Sequence, residues 1–242
     1  MISTVISYCS LDEKFIDANI NECLKFSDEV IIVYFDHLLN GKLENDTKLI
    51  NILRKYQKAK GIKIEFDRNK DSKYHHNLAR WIGYKYASND WLLFLDADEI
   101  PDGKGFYSIL SNLIVKPQLC YFFTCFWYFR RPEYQSTVTE QCGLLINKCN
   151  ITSELIFSDK ERWQPKFMNT LSHSVVSYPY IHHFSWVRTK AEMLAKVSSW
   201  AHKEERDWVN LVEKEFRGDF QGTDFIHGYS YREVKNIFKI ES

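Results

Sequence analysis

Apolar residues in the first hundred positions fall into four short runs separated by amphipathic segments. The runs cover residues 4–8, 30–35, 62–66 and 91–95, and each is rich in β-branched or aromatic side chains. Continuous runs of this kind are typical of strands that are buried on both faces of a parallel sheet. The pattern therefore predicts four strands of one sheet.

The segments between these runs carry apolar residues at helical spacing. The first begins near Ser10, which forms a capping-box pattern with Glu13. The second and third cover residues 49–56 and 74–87. Alternating strands and helices predict βαβ units, a parallel sheet and right-handed crossovers.

The second half of the chain has a less regular pattern. It predicts a helix at residues 106–114 and strands at 119–130 and 138–146, with antiparallel pairing as one option for the two strands. Residues 150–175 fit no element. Thr189 and Glu192 form a second capping box, which opens a helix at residues 189–200, and helical spacing continues to residue 216 either directly or after a break. We therefore expect one compact α/β domain with a C-terminal helical extension.

Composition excludes several classes of protein. Lys and Arg together number 32, as do Asp and Glu, and no long run of one sign occurs. Nucleic-acid binders normally carry a basic stripe. Six cysteines without a Cys-x-x-Cys pair argue against a zinc site. No signal-peptide pattern opens the chain, and its most apolar stretch is about half a membrane span, so we expect a cytoplasmic protein without a transmembrane segment.

Acidic residues follow three of the predicted strands. They are Asp36, Asp67 and the segment Asp96-Ala97-Asp98, which comes directly after the most apolar run. Ligands of open parallel sheets bind at the carboxyl ends of the strands. Magnesium and manganese prefer carboxylate ligands and neutralise a departing diphosphate. The alternative is that these acids only solvate a loop or cap the next helix.

Two other motifs can be excluded. A calcium-binding loop that started at Asp96 would need glycine at Pro101 and an acid at Tyr107. A phosphate-binding loop needs Gly-x-x-x-x-Gly-Lys-Ser/Thr, which the sequence lacks.

Two neighbouring segments resemble a known family. Residues 77–83 read Asn-Leu-Ala-Arg-Trp-Ile-Gly, and residues 89–101 read Asn-Asp-Trp-Leu-Leu-Phe-Leu-Asp-Ala-Asp-Glu-Ile-Pro. Together they resemble the family 2 glycosyltransferases of the GT-A fold, in which such a helix leads to an apolar strand and an Asp-x-Asp motif. The resemblance implies a Rossmann-like, mostly parallel sheet flanked by helices. It also implies nucleotide-sugar binding by residues 1–103 and acceptor binding by residues 104–242.

The resemblance also implies roles for individual residues. Asp98 would be the principal ligand of Mn²⁺ or Mg²⁺, and Asp96 would contact the metal or the ribose. Arg80 would lie near the nucleotide or its phosphates. The base and ribose pocket would include Tyr8, Asp36 and Asp67. Trp81 and His37 depart from the family pattern, which leaves the donor nucleotide open, although a UDP-sugar is favoured.

Histidines and carboxylates of the second half complete the candidate site. Many GT-A enzymes bring a histidine from the C-terminal half to the metal, and His183 is the better match of the pair His182-His183. An inverting transferase also needs a carboxylate that deprotonates the acceptor hydroxyl. Asp159 and Glu161 are our candidates for this base, with Glu140 as a third.

The expected activity is metal-dependent transfer of a hexose from a nucleoside-diphosphate sugar to a hydroxyl of a glycan or glycoprotein, with inversion. One alternative is a sugar nucleotidyltransferase, but residues 8–13 contain neither the glycines nor the basic residue usual in that loop. The other is a non-catalytic carbohydrate-binding module on a decayed transferase fold. Such a module would be expected to lose the paired acids, yet Asp96 and Asp98 are both present.

Overall fold

The computed structural model describes residues 1–112, 116–158 and 171–241 of the chain. Its strands are β1 (Ile2–Ser7), β2 (Glu29–Phe35), β3 (Ala59–Ile64), β4 (Trp91–Asp96), β5 (Glu99–Pro101), β6 (Leu119–Phe129), β7 (Arg131–Asn147), β8 (Ser172–Trp186) and β9 (Tyr231–Glu233). Its helices are α1 (Glu13–Cys23), α2 (Thr47–Leu53), α3 (Ser72–Tyr86), α4 (Gly103–Asn112), α5 (Ser153–Ile156), α6 (Lys190–Val197) and α7 (Trp208–Glu215).

The strands form one sheet in the order β3-β2-β1-β4-β7-β6-β8-β5, and β9 pairs with β7. The four strands from β3 to β4 are parallel, as the sequence predicted. Strand β7 runs antiparallel to both β4 and β6, which confirms the suggested antiparallel pair. Strand β8 returns parallel to β6. The predicted α/β class is thus confirmed.

Both faces of the parallel half are buried, which explains why its strands are continuously apolar. Ile6 of β1 lies in a core with α1 and α2, whereas its neighbour Val5 lies in a second core with α3. Neighbouring side chains point to opposite faces of a strand, so each strand supplies both cores. Helix α3 approaches β1 closely at Gly83, where an added Cβ would lie 2.1 Å from Cγ1 of Val5.

The two predicted capping boxes have different outcomes. Thr189 and Glu192 form a complete box at the start of α6. The box predicted for Ser10 and Glu13 is wrong, because α1 begins only at Glu13, after a 3₁₀ turn. The backbone N–H of Ser10 instead donates to the carboxylate of Glu44.

The C-terminal extension differs in detail from the expectation. Residues 198–207 separate α6 from α7, which confirms the alternative of a break in the predicted helix, and β9, which was not predicted, then rejoins the sheet. Met193 and Val212 of these helices pack on Trp186 and Phe129 at the ends of β8 and β6. This aromatic core fixes the extension beside the carboxyl ends of the parallel strands. In the part of the chain described here, no helix is long and apolar enough to cross a membrane.

Candidate active site

A pocket of about 380 Å³ opens at the carboxyl ends of β1, β2 and β4. Tyr8, Phe35 and Asp96 line its strand side, while Lys196 and Trp208 line it from the C-terminal extension. The pocket therefore lies where ligands bind in open parallel sheets.

The backbone of the Asp-x-Asp segment is held rigidly. Asn19 of α1 donates its side-chain amide to the carbonyl oxygens of Asp96, Ala97 and Glu99, at 3.2, 3.0 and 3.0 Å. The N–H of Phe184 donates to the carbonyl of Asp98 at 2.8 Å. The carboxylates are thus mounted on a fixed frame, as a binding site requires. Nothing in the sequence marks Asn19 as a site residue, because it belongs to no motif and lies within an ordinary amphipathic helix.

The side chain of Asp98 is 4% exposed and is surrounded by cations. Its Oδ2 accepts a hydrogen bond from Nζ of Lys196 and lies 3.6 Å from a guanidinium nitrogen of Arg188. Its Oδ1 lies 3.5 Å from Nε2 of His183. Burial alone would raise the pKa of Asp98, but the charges of Lys196, His183 and Arg188 hold that pKa far below its usual range.

Asp12 completes this arrangement, because it shares Arg188 and Lys196 with Asp98. Its Oδ1 accepts from Arg188 and lies 3.3 Å from Nζ of Lys196. We call Asp12, Asp98, Arg188 and Lys196 the Asp98 network. The network joins the start of α1, the end of β4 and the start of the C-terminal extension.

The pKa of His183 is also shifted. Burial opposes its charged form, yet the contacts with Asp98 and Cys125 outweigh burial and raise the pKa of His183 well above its ordinary value. His182 points the other way, where its Nδ1 bonds to the hydroxyl of Tyr128 at 2.7 Å. Burial lowers the pKa of His182 to about 4. Only His183 lines the pocket, as the alternation along a strand predicted.

Asp96 has different partners from Asp98. Its Oδ1 lies 3.1 Å from Nε2 of His76, and its side chain is 29% exposed. Arg80, which is buried on α3, contacts the same imidazole nitrogen at 3.0 Å. Arg80 is therefore next to the pocket wall, where it contacts His76, which lines the pocket itself.

The described residues fit a divalent cation poorly in this arrangement. Among them, no group of three or more His, Cys, Asp or Glu side chains could hold a metal ion. Both oxygens of Asp98 face cationic groups within 3.6 Å. Lys196 already occupies the position next to Oδ2 of Asp98, so a metal ion could bind there only if Lys196 moved away. The ligand set of Asp98, Asp96 and His183 stays a prediction.

Two of the predicted pocket residues lie elsewhere. The carboxylate of Asp36 bonds to Nδ1 of His37 at 2.9 Å and accepts from the N–H of Phe66 at 2.8 Å. It therefore ties the end of β2 to the segment after β3. The carboxylate of Asp67 accepts from the N–H of Asn69 at 2.9 Å within a turn. Both are favoured uses of Asp after a strand, and neither residue lines the pocket.

Tyr8 does line the pocket, together with several aromatic side chains of the second half of the chain. They are Trp127, Trp186, Trp200, Trp208 and His227. The described residues offer no hydrogen-bond partner to the buried hydroxyl of Tyr8 or to the indole N–H groups of Trp127 and Trp200. Buried polar groups are usually paired, so a ligand bound in this pocket is one way to satisfy these atoms. The aromatic residues make up 16% of the sequence, and this excess agrees with an aromatic-lined pocket.

The carboxylates proposed as catalytic base have different outcomes. Asp159 and Glu161 lie outside the described residues. Glu140 of β7 lines the pocket and accepts a hydrogen bond from the hydroxyl of Tyr229 at 2.7 Å.

Comparison with known proteins finds solved structures of similar fold but no matching sequence family. No family model matches the chain, and no curated protein sequence matches it. The structure is similar to S. aureus TarS 1–349, with a TM-score of 0.52 and 14% identity over 89% of this chain and 72% of that one. The UDP complex of TarS 1–349 gives 0.53 and 14%, and its UDP-GlcNAc complex gives 0.51 and 13%, over 89% of this chain and 70% and 71% of those chains. The chain therefore has a GT-A-like α/β fold.

The Asp98 network predicts unequal effects for the two carboxylates of the motif. Asp98→Asn leaves Lys196 and Arg188 with one carboxylate in a buried site, and we expect it to lower the free energy of unfolding by about 3 kcal/mol. Asp96→Asn changes a partly exposed contact with His76 and should cost less, about 1 kcal/mol. Urea unfolding measures both values. Equal losses would contradict the account of Asp98 as the buried centre of the network.

Proposed function

We propose that this protein is a glycosyltransferase that moves a hexose from a nucleoside-diphosphate sugar, with UDP favoured, to a hydroxyl of a glycan or glycoprotein. The observation that carries the proposal is the Asp98 network at the carboxyl edge of the parallel sheet, beside a pocket of about 380 Å³. A nucleotide sugar combines a concentrated negative charge with a planar base and a sugar ring. The pocket offers cations and aromatic faces to these parts.

The solved structures support this choice of ligand. TarS 1–349 has the same fold and has been crystallised with UDP and with UDP-GlcNAc. Fold alone does not decide activity, so the argument depends on the residues of this pocket.

The proposed donor would lie across the pocket. The base and ribose would contact the strand side at Tyr8 and Phe35, and the diphosphate would lie near Lys196 and His76. Charge develops on the diphosphate as the sugar leaves, and fixed cations in a site with little water stabilise such charge strongly. The sugar and the acceptor would then face the aromatic side that includes Trp127.

Transfer with inversion would need one carboxylate to accept the proton of the attacking hydroxyl. Asp159, Glu161 and Glu140 remain the candidates. Of these, Glu140 has a described position, and it lies on the pocket wall shared with Trp127 and His183.

A ligand panel tests the donor site. UDP-, GDP- and dTDP-sugars would be added to the protein, each with Mn²⁺ and with a chelator, and the melting temperature would be recorded. A ligand at 100 times its Kd stabilises the fold by about 2.7 kcal/mol, which corresponds to a shift of about 5–10 °C for a chain of this size. Uridine is the matched control, because it lacks the diphosphate and should shift the melting temperature far less than UDP.

Release of the nucleoside diphosphate in the presence of glycan acceptors then tests transfer. Donor binding without any transfer would favour the non-catalytic module instead. If no nucleotide sugar shifts the melting temperature in either condition, the proposed function is wrong.

The catalytic base can be identified with three conservative variants. In Glu140→Gln, Asp159→Asn and Glu161→Gln, loss of the true base should lower kcat by about 10²- to 10⁴-fold while donor affinity is kept. Glu233→Gln, at an exposed position on β9, is the control and should keep full activity. Wild-type rates in all three variants would rule out every candidate named here.

A further inference from the structure

Lys196 occupies the place next to Asp98 where a divalent ion would be expected from the Asp-x-Asp motif. Its ammonium bridges Asp98 and Asp12, and its side chain lines the pocket. The bridge joins two carboxylates that are 86 positions apart in the chain. A lysine held by two carboxylates has a fixed position, as a counter-ion for a ligand requires.

Arg188 has a different role from Lys196, although it contacts the same carboxylates. Its side chain is 1% exposed, its Nε donates to the carbonyl of Ser185 at 3.0 Å, and another nitrogen donates to the carbonyl of Leu11. These bonds anchor the guanidinium behind the pocket wall. Lys196 is 11% exposed, so it is the cation of the network that a ligand can reach.

The bonding capacity of Lys196 also suits a phosphate. An ammonium group has three N–H donors. Two of them are directed to Asp12 and Asp98, which leaves one for a ligand oxygen. The two carboxylates of the network are matched by the charges of Lys196 and Arg188. Because these charges cancel, a diphosphate that enters the pocket is not repelled by uncompensated carboxylates.

We propose that Lys196 is the cation that binds the donor's diphosphate, and that nucleotide binding by this protein does not require a divalent metal ion. This inference rests on the proposed function and assigns Asp98 the role of holding Lys196 in position. It replaces the Mn²⁺ or Mg²⁺ expected from the sequence with a group supplied by the chain.

Calorimetric titration of UDP tests the proposal without any variant. The Kd of the wild-type protein for UDP should be the same in Mn²⁺ and in chelator, because Lys196 rather than a metal ion binds the diphosphate. The same here means within about threefold, which is less than 1 kcal/mol. A loss of affinity of tenfold or more in chelator would overturn the proposal and leave the proposed function standing. Absence of UDP binding in both conditions would contradict the proposed function and this inference with it.

Variants of Lys196 give a second, independent test. Lys196→Met should weaken UDP binding in chelator by about 10- to 100-fold, the range of a hydrogen bond to a charged group. Mn²⁺ should restore part of that affinity, because Asp12 and Asp98 are then left without the ammonium and can coordinate a metal ion. Lys196→Arg retains the charge and should bind UDP in chelator more tightly than Lys196→Met.

Lys190→Met is the matched control on the same helix. Lys190 pairs with the exposed Glu213 at the surface, so this variant should keep wild-type affinity. Circular dichroism melting shows whether each variant is folded. Unchanged UDP affinity in a folded Lys196→Met variant would overturn the proposal.

Discussion

The structure of the pocket depends on the ion pairs between Asp98, Asp12, Arg188 and Lys196. They connect the start of α1, the end of β4 and the start of the C-terminal extension. Buried ion pairs gain little stability over apolar packing, because desolvation offsets the attraction, and removing one member is costly. A network of this kind at the ligand-binding edge of a sheet is therefore better explained by binding than by stability.

The network also determines how the two halves of the chain work together. The parallel half supplies Asp98 on a frame clamped by Asn19, and the C-terminal half supplies the cations and the aromatic wall that includes Trp127 and Trp208. The aromatic core around Trp186 holds α6 against the sheet. Tertiary packing therefore positions Lys196 next to Asp98, without a local sequence motif. The pocket between the two halves presents both the ammonium of Lys196 and aromatic faces, which suits a sugar linked to a diphosphate.

Local patterns predicted the parallel half well, because its strands are buried on both faces and its helices alternate with them. The position of Asp98 at the end of β4 and the capping box of Thr189 also followed from neighbouring residues. Neighbouring residues could not show whether Asp36 and Asp67 bind a ligand, since an acid after a strand stabilises a turn as readily as it binds a ligand. Lys196 meets Asp12 and Asp98 only in the folded chain, and no spacing in the sequence signals these contacts.

The Asp98 network is proposed to bind the diphosphate of a nucleotide sugar. A crystal structure of the protein with UDP, grown in the presence of Mn²⁺, would show where the diphosphate lies. We expect a phosphate oxygen within hydrogen-bond distance of Nζ of Lys196, with Lys196 still bonded to Asp98. A Mn²⁺ ion bound to Asp98 with Lys196 turned away, or UDP bound outside this pocket, would contradict it.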